Sequence, residues 1–247
     1  MANGQKTKGK THEQYNLLAG RFDRLIDWNE RLRISNFFIR LLREHNAKKI
    51  LDMSTGTGPD SIALCKKGFE VVSLDGSLDM IERAKINAER YGVKLRTVVA
   101  DWRTIGNVFC TQFEGAICLG NSFTHLEHRE REEVVKQVRG LLVQNGVFIA
   151  DYRNYSRLSR GLPIRLEDGG YYTGKGAEMK AELRDGLVVQ SYIFDDGAKF
   201  TLSFKPVFID EAIAEFESSG FVVRIFSDRR KGYKKNASFY QLEGKAN

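Results

Sequence analysis

Polar side chains stand where five apolar segments of the sequence end. Each segment is short and rich in Val, Ile and Leu, which is typical of a strand that is buried on both faces. The polar residues at their ends are Asp52, Asp75, Asp101, Asn121 and Asp151. Because ligands of parallel sheets bind at the carboxyl ends of the strands, we expect these five side chains to surround one binding site.

Residues 52–61, DMSTGTGPDS, have the composition of a ligand-binding turn between a strand and a helix. Gly56 and Gly58 permit positive φ angles and let the backbone approach a ligand closely. Dinucleotide-binding enzymes have a similar turn, but Asp52 would repel a pyrophosphate, and Ser61 stands where that fingerprint needs Gly or Ala. Both features favour a nucleoside with a positively charged amino-acid end, and S-adenosylmethionine is such a cofactor.

Two further strand ends carry groups that suit the nucleoside. A carboxylate at Asp75 can accept hydrogen bonds from both ribose hydroxyls. After the third strand, Asp101 can accept a hydrogen bond from the adenine amino group, and the ring of Trp102 can cover the base. Structural roles are the alternatives, because Asp75 can cap the following helix and Trp102 can belong to the core.

The fourth and fifth strand ends carry groups that suit a small amino acid. A small amino acid presents an amine, which neutral acceptors can orient, and a carboxylate, which a planar cation can bind. The carbonyl of Gly120 and the side chain of Asn121 are neutral hydrogen-bond acceptors for such an amine. Arg153 offers a planar fork to a carboxylate, and a surface ion pair with Asp151 is the alternative.

The order of helical and strand patterns predicts an α/β fold with a doubly wound, mostly parallel, seven-stranded sheet. The predicted strands are residues 48–54, 70–75, 94–101, 113–120, 146–152, 221–227 and 238–243, and the predicted helices are about 59–67, 78–92, 129–143 and 209–219. A further amphipathic helix within residues 23–45 is expected to pack over the nucleotide pocket.

Between residues 153 and 205 the pattern changes to Gly-containing turns and alternating segments. The Asp-Gly pairs at 185–186 and 196–197 indicate hairpins, so we predict an antiparallel lid inserted into the parallel domain. The predicted division is a flexible tail at 1–12, a cofactor-binding domain at 13–152 and 206–247, and a lid and substrate subdomain at 153–205.

Composition narrows the range of functions and partners. The chain has 247 residues, a net charge of +7 and three cysteines without metal-ligand spacing. We therefore expect no bound metal and a reducing, cytoplasmic location, and no apolar run reaches the roughly 18 residues of a membrane span. Positive charge can indicate nucleic-acid binding, but most of the cations alternate with acids, so nucleic acid is disfavoured as a partner. The role of the basic segment 229–235 stays open.

The sequence resembles class I S-adenosylmethionine-dependent methyltransferases over about residues 20–245 and, more narrowly, the glycine and glycine/sarcosine N-methyltransferases. The narrower resemblance rests on LIDWNER (25–31), LDMSTGTGPDSI, VVSLDGSLDM, ADW, ICLGNSFTHL, DYRNY (151–155) and GGYYTGKG (169–176). It implies that Trp28 and Arg31 hold the methionine part, and that Leu119 and His125 line the cofactor pocket. The full predicted cofactor set is Trp28, Arg31, Asp52, Ser54, Gly56, Gly58, Asp75, Gly76, Met80, Asp101, Trp102, Leu119 and His125.

The same resemblance places four tyrosines around the methyl acceptor: Tyr15, Tyr172, Tyr192 and Tyr233. Tyr233 carries the weakest assignment, because KGYKKNAS departs from the family pattern. The predicted acceptor set is Tyr15, Gly120, Asn121, Arg153, Tyr172 and Tyr192. The implied reaction is in-line methyl transfer to the neutral amine of glycine, sarcosine or both, with S-adenosylhomocysteine as product.

The sequence alone leaves alternatives open. The acceptor can be another small amine, such as a different amino acid or an amino sugar. An RNA methyltransferase is disfavoured because LGNSF stands where enzymes that act on base amines carry a Pro-Pro motif, and a NAD-linked enzyme is disfavoured by Asp52 and Ser61. The number of methyl groups added and the formation of a homo-oligomer also stay open.

Overall fold

An eight-stranded sheet with helices on both faces and a separate three-stranded antiparallel sheet make up the computed structural model, which describes residues 10–247. The strands are β1 (Lys49–Asp52), β2 (Glu70–Asp75), β3 (Arg96–Val99), β4 (Phe113–Cys118), β5 (Leu142–Arg153), β6 (Ala177–Arg184), β7 (Leu187–Phe194), β8 (Lys199–Phe204), β9 (Phe221–Ser227), β10 (Arg230–Lys231) and β11 (Phe239–Ala246). The large sheet has the order β10-β9-β11-β5-β4-β1-β2-β3. Strands β1 to β5 are parallel, whereas β11 is antiparallel to both β5 and β9.

Seven α-helices accompany these strands within the described residues. They are α1 (Lys10–Phe22), α2 (Trp28–Glu44), α3 (Pro59–Lys66), α4 (Leu78–Arg90), α5 (His128–Leu141), α6 (Ser156–Ser159) and α7 (Ile209–Ser218). Side-chain N-caps define the beginning of two of these helices. Asp27 accepts a hydrogen bond from Glu30 N at the start of α2, and Ser77 accepts one from Met80 N at the start of α4. No helix within residues 10–247 is long and apolar enough to cross a membrane.

The predicted fold class is confirmed, with one strand more than expected. After β9 the backbone turns through Asp228 and Arg229, which have φ angles of 48° and 65°, and pairs Arg230 with Ser227. The resulting two-residue edge strand lies in the basic segment RRKGYKK, which has no apolar alternation that would predict a strand. The large sheet therefore has eight strands rather than seven.

Two elements of the structure cross boundaries of the predicted domain division. Helix α1 begins at Lys10, within the predicted tail, while residues 1–9 lie outside the described part of the chain. Strand β5 extends to Arg153, because Arg153 still pairs with Phe239 of β11. The first residue of the predicted lid therefore belongs to the large sheet.

Both faces of the parallel strands are buried, as the continuous apolar runs predict. Leu51 and Val72 pack in one cluster with helix α5, whereas Ile50 and Val71 pack in another with helix α2. A third cluster joins α1 to the small sheet and contains Leu18, Leu25, Val188 and Phe204 among others. This third cluster holds α1 and the antiparallel sheet together above the carboxyl ends of the parallel strands.

The small sheet has the order β6-β7-β8 and contains the two predicted hairpins. The segment that precedes β6 packs directly against the backbone that follows α1, where Gly174 N donates to Leu25 O at 2.9 Å. A Cβ atom at Gly174 would stand 2.3 Å from Arg24 O, so only glycine permits this approach.

Candidate active site

A cavity of about 990 Å³, counting the space open to solvent, lies at the carboxyl ends of β1, β2 and β4. Helix α1 and the segment before β6 cover it. The predicted site residues that line it are Tyr15, Arg31, Ser54, Gly56, Asp75, Gly76, Met80, Asp101, Trp102, Leu119, Gly120, His125 and Tyr172. The predicted residues that do not line it are Trp28, Asp52, Gly58, Asn121, Arg153 and Tyr192.

The two loop glycines have different roles. Gly56 has a φ of 52° and lines the cavity, and its N–H donates to Asp75 Oδ2 at 2.8 Å. Gly58 has a φ of 98°, and a Cβ atom there would stand 3.2 Å from Ala84 Cβ in α4. Gly56 therefore brings the backbone to the cavity, whereas Gly58 permits close packing of the loop against α4.

Asp75 holds the loop and faces the cavity at the same time. Its Oδ1 accepts from Ser77 N at 2.9 Å and its Oδ2 from Gly56 N. Ser77, rather than Asp75, caps α4. A carboxylate oxygen can accept more than one hydrogen bond, so this geometry is compatible with ribose hydroxyls on the cavity side.

The pair after β3 is held rigidly in the cavity wall. Trp102 Nε1 donates to Met53 O at 2.6 Å, and Asp101 forms an ion pair with Arg103 at 3.0 Å. Both side chains line the cavity. Their fixed orientation offers a flat ring and a carboxylate to a purine.

Arg31 presents a buried guanidinium to the cavity. Its Nη2 forms an ion pair with Asp60, and its guanidinium lies 4.2 Å from the ring centre of Tyr171. Its Nη1 is buried and has no hydrogen-bond partner among the described residues. Buried polar groups are normally satisfied, and a ligand carboxylate would satisfy this one.

Asp52 lies beneath the glycine loop instead of facing the cavity. It is 1% exposed, and its carboxylate accepts from Ser61 Oγ at 2.7 Å and from Ser54 N at 3.2 Å. Burial, with a contribution from Asp60, raises the pKa of Asp52 to about 7. Asp52 therefore stabilises the glycine loop through hydrogen bonds on the side away from the cavity. The sequence alone does not show on which side of the loop its carboxylate lies.

Trp28 is likewise placed away from the cavity. It is the first residue of α2 and stacks on Tyr91, which follows α4, with ring centres 5.1 Å apart. Arg31, one turn later on the same helix, faces the cavity instead. Tyr233 is 57% exposed and stacks on Tyr240 with ring centres 5.5 Å apart, outside the cavity wall.

The wall beside Gly120 is built from hydroxyl groups and an ordered turn. Gly120 has a φ of 79°, and a Cβ atom there would stand 3.1 Å from Tyr172 Oη, so the hydroxyl lies against the glycine. Tyr15 Oη and His125 Nε2 form a hydrogen bond of 2.8 Å, which ties α1 to the turn after β4. Asp151 accepts from the backbone N–H of Asn121 at 2.6 Å and of Gly120 at 3.2 Å, and burial raises its pKa to about 6.

Asn121 and Arg153 form a layer behind this wall. Asn121 Oδ1 accepts from Arg153 N at 2.7 Å, so the amide oxygen that was predicted to face the amine is already engaged. Arg153 Nη1 donates to Arg165 O at 2.8 Å, and the guanidinium lies over the Phe239 ring. Within residues 10–247 the Arg153 guanidinium has no carboxylate partner, so the alternative of an ion pair with Asp151 is wrong.

Four residues of the site were not predicted. Asp60 and Tyr171 lie within the quoted motifs and contact Arg31, and Tyr155 lies within DYRNY and receives a hydrogen bond from Asn121 Nδ2 at 2.8 Å. Gln190 lies two residues before Tyr192 in β7 and bonds its hydroxyl at 2.5 Å. Period-two alternation puts Gln190 and Tyr192 on one face of the strand. A polar residue on the same buried face as a predicted site tyrosine could therefore have indicated Gln190 from the sequence.

Comparison with known proteins identifies the family. The methyltransferase domain family matches residues 50–146. The glycine/sarcosine N-methyltransferase of Parasynechococcus marenigrum is 41% identical over 89% of this chain and 79% of its own length, and that of Aphanothece halophytica is 37% identical over 82% and 78%. The chain belongs to the glycine/sarcosine N-methyltransferase family. It is therefore an enzyme that depends on S-adenosylmethionine, as predicted.

The fold of this glycine/sarcosine N-methyltransferase family member also agrees with a solved structure. An S-adenosylmethionine-dependent methyltransferase from Clostridium acetobutylicum superposes with a TM-score of 0.74 over 94% of this chain and 99% of its own, at 21% identity. At that identity the likeness supports the methyltransferase fold, and the predicted Rossmann-like architecture is confirmed.

Proposed function

We propose that the enzyme transfers a methyl group from S-adenosylmethionine to the neutral amine of glycine, sarcosine or both. The observation that carries the proposal is Arg153, a 2% exposed guanidinium without a carboxylate partner in the described chain, close behind the wall at Gly120. A buried cation of this kind is complementary to the carboxylate of a small amino acid. Two relatives that are named glycine/sarcosine N-methyltransferases support the same acceptors.

The cofactor supplies an electrophilic methyl group on a positively charged sulfur. In our proposal Arg31 binds its amino-acid carboxylate through the unsatisfied Nη1, and Asp75 accepts the ribose hydroxyls. Asp101 accepts from the adenine amino group, and Trp102 covers the base. Asp52 and Trp28 stabilise the loop and α2 rather than touch the cofactor.

The acceptor side binds and orients the amine without an ionised acid directed at it. Gly120 C=O is the proposed acceptor of an amine hydrogen, and Tyr172 Oη lies against the same residue. Asp151 is directed at backbone N–H groups instead of the cavity. The amine is therefore not held as ammonium, and its lone pair stays available for in-line attack.

The enclosure of the site favours a small acceptor over nucleic acid. Tyr15, Tyr172 and helix α1 cover the cavity, and the small sheet packs against α1. We assign residues 154–205 as the lid on the acceptor side. All the proposed groups come from one chain, so the proposal does not require a homo-oligomer.

We also propose a cytoplasmic location. Its support is the state of the cysteines, since Cys65, Cys110 and Cys118 are all free thiols. A reducing compartment keeps an exposed thiol such as Cys110 from forming disulfides between molecules.

The test is a transfer assay with methyl-labelled cofactor against a panel of acceptors: glycine, sarcosine, dimethylglycine, other small amino acids, an amino sugar and bulk tRNA. We expect label in glycine, sarcosine or both, and none in tRNA. Label in the amino sugar alone, or in tRNA alone, would overturn the proposal. Comparison of glycine with sarcosine also measures how many methyl groups are added.

A further inference from the structure

A chain of four buried polar side chains connects the end of β4 to the small sheet. Asn121 Nδ2 lies 2.8 Å from Tyr155 Oη, Tyr155 Oη lies 3.4 Å from Gln190 Oε1, and Gln190 Nε2 lies 2.5 Å from Tyr192 Oη. Each of the four residues is at most 8% exposed. Buried networks of this kind have a fixed geometry, since an unsatisfied member is costly.

The direction of every hydrogen bond in this chain follows from its first member. Arg153 N–H can only donate, so the atom of Asn121 that it meets at 2.7 Å is the carbonyl oxygen. Asn121 Nδ2 therefore donates to Tyr155 Oη. Tyr155 must place its own hydrogen on another acceptor, and Gln190 Oε1 is that acceptor. Gln190 Nε2 is then left to donate to Tyr192.

The hydroxyl hydrogen of Tyr192, the last residue of this network, is not used by the other three side chains. Tyr192 Oη accepts from Gln190, so its own O–H is the group that it offers elsewhere. Tyr192 packs in the third cluster with Tyr15 and Tyr172, both of which line the cavity, so Tyr192 lies directly behind that wall. Burial also raises the pKa of Tyr192, so the hydroxyl keeps its hydrogen.

We propose that Gln190 is a positioning residue that makes Tyr192 a hydrogen-bond donor to the carboxylate of the amino-acid acceptor, beside Arg153. This inference rests on the proposed function and deepens it, because it assigns the enzyme's preference for methyl acceptors that carry a carboxylate to Gln190 and Tyr192. A guanidinium and a hydroxyl that both donate hydrogen bonds are complementary to the two oxygens of a carboxylate. A substrate with an amide or alcohol in place of the carboxylate forms weaker hydrogen bonds with them.

The first test replaces the amide of Gln190 with groups that cannot donate. In Gln190→Glu the introduced carboxylate accepts from Tyr192 and removes the donor from the site. We expect the KM for glycine or sarcosine to rise at least about tenfold, with kcat and cofactor Kd within about twofold of wild type. Gln190→Met, which has similar length and no hydrogen bonds, should raise KM by about threefold.

The matched control is Ser191→Ala in the same strand. Ser191 faces away from Gln190 and forms a hydrogen bond of 2.8 Å with Thr201, so its loss weakens the small sheet without changing the chain to Tyr192. We expect its KM to equal that of wild type. A KM increase as large as that of Gln190→Met would attribute the effect to sheet stability and overturn the inference.

A double variant separates positioning from general packing. If Gln190 acts only through Tyr192, then Gln190→Met should leave KM unchanged in a Tyr192→Phe background. Additive increases would overturn the inference.

Glycinamide provides an acceptor without a carboxylate. The preference for glycine over glycinamide should shrink at least about tenfold in Gln190→Glu, and an unchanged preference would overturn the inference. If the wild type methylates no amino acid, the proposed function fails and the inference fails with it. If the wild type is active and the Gln190 variants match it, only the inference fails.

Discussion

At the scale of single residues, the site is defined by which polar groups already have partners inside the protein. Arg31 has one nitrogen on Asp60 and another unsatisfied beside the cavity, and within residues 10–247 the Arg153 guanidinium has one hydrogen-bond partner, the carbonyl of Arg165. Asn121, in contrast, has both ends of its amide engaged. Because a ligand can bind only where hydrogen-bonding capacity remains, the two arginines are ligand-binding candidates and Asn121 positions its neighbours.

Asp75→Ala should weaken the binding of S-adenosylmethionine by at least about tenfold, because a charge-assisted acceptor of the ribose is removed. Isothermal calorimetry measures the affinity directly. Asp79→Ala is the matched control, since Asp79 is exposed in the first turn of α4, four residues after Asp75, and carries the same charge. Equal affinities for wild type and Asp75→Ala would remove Asp75 from the cofactor site.

Arg153→Lys should raise the KM of the amino-acid acceptor at least about tenfold and leave cofactor affinity unchanged. An ammonium keeps the charge but loses the planar fork that binds a carboxylate through two hydrogen bonds. Steady-state kinetics with the acceptor varied gives the KM. Arg165→Lys is the control, because this neighbouring side chain is exposed. A wild-type KM in Arg153→Lys would show that the guanidinium does not bind the acceptor.

The sequence predicts which residues gather at the site better than it predicts where each side chain points. Parallel strands put their carboxyl ends at one edge, but of the five polar residues at those ends only Asp75 and Asp101 line the cavity, whereas Asp52, Asn121 and Asp151 lie behind its wall. Whether a side chain faces the cavity or the layer behind it depends on partners distant in sequence, such as Ser61 for Asp52 or Tyr91 for Trp28. No periodicity within a single strand contains that information.

At the scale of secondary-structure elements, helix α1 covers the cavity and is held by polar contacts at its edge and by its buried apolar face. Tyr15 bonds His125 and Asn16 bonds Ser77, and the buried face contributes Leu18, Ala19 and Phe22. The sequence did not predict this helix, since its apolar residues are few and Leu17 is 78% exposed. Its position depends on the small sheet, to which it is bound through tertiary packing.

Tyr15→Phe should speed the dissociation of the cofactor by about threefold, because the hydrogen bond that ties α1 to the turn after β4 is lost. Stopped-flow displacement measures the rate constant. Leu17→Ala changes an exposed residue of the same helix and should leave the rate unchanged. If Tyr15→Phe dissociates at the wild-type rate, opening of α1 does not control release.

The element β1 and its loop carry a buried acid that links stability to pH. Burial raises the pKa of Asp52 to about 7 in the folded protein, whereas an unfolded Asp has a pKa of about 3.9. The folded state therefore binds the proton more tightly, and unfolding releases it between these two values. The stabilisation that Asp52 contributes is present below about pH 4 and is lost as the pH rises through about 7.

Asp52→Asn should accordingly become more stable relative to wild type as the pH rises from 5 to 8, because the amide does not ionise. The measurement is the difference in free energy of unfolding between the two proteins, taken without cofactor from urea titrations at each pH. Asp79→Asn, at an exposed site, should show no such trend. A difference that stays constant across this pH range would mean that Asp52 does not titrate near neutrality.

At the scale of the whole molecule, the proposed function divides the two ligands between the two parts of the fold. In that proposal the parallel sheet supplies the strand-end groups for the cofactor, while the segment after β5, β7 and α1 supplies the tyrosines on the acceptor side. Fold class and lid were predictable because they follow from local patterns and turn chemistry. The way in which α1 and the small sheet pack on each other was not, because it depends on contacts between segments more than 150 residues apart, such as Arg21 of α1 with Asp196 after β7.

The pH dependence of the whole reaction distinguishes an amine acceptor from an acceptor that does not titrate. Free amino acids are largely protonated at neutral pH, and only the neutral amine can attack the methyl group, so kcat/KM should rise about tenfold per pH unit from pH 7.5 to 8.5. Ionisation of Asp151, whose pKa burial raises to about 6, is nearly complete at the start of that range. Asp52 ionises near its lower end, so the profile is measured in Asp52→Asn as well as in wild type. The same slope in both proteins assigns the rise to the acceptor, whereas a flat profile in both would exclude direct attack by a protonatable amine.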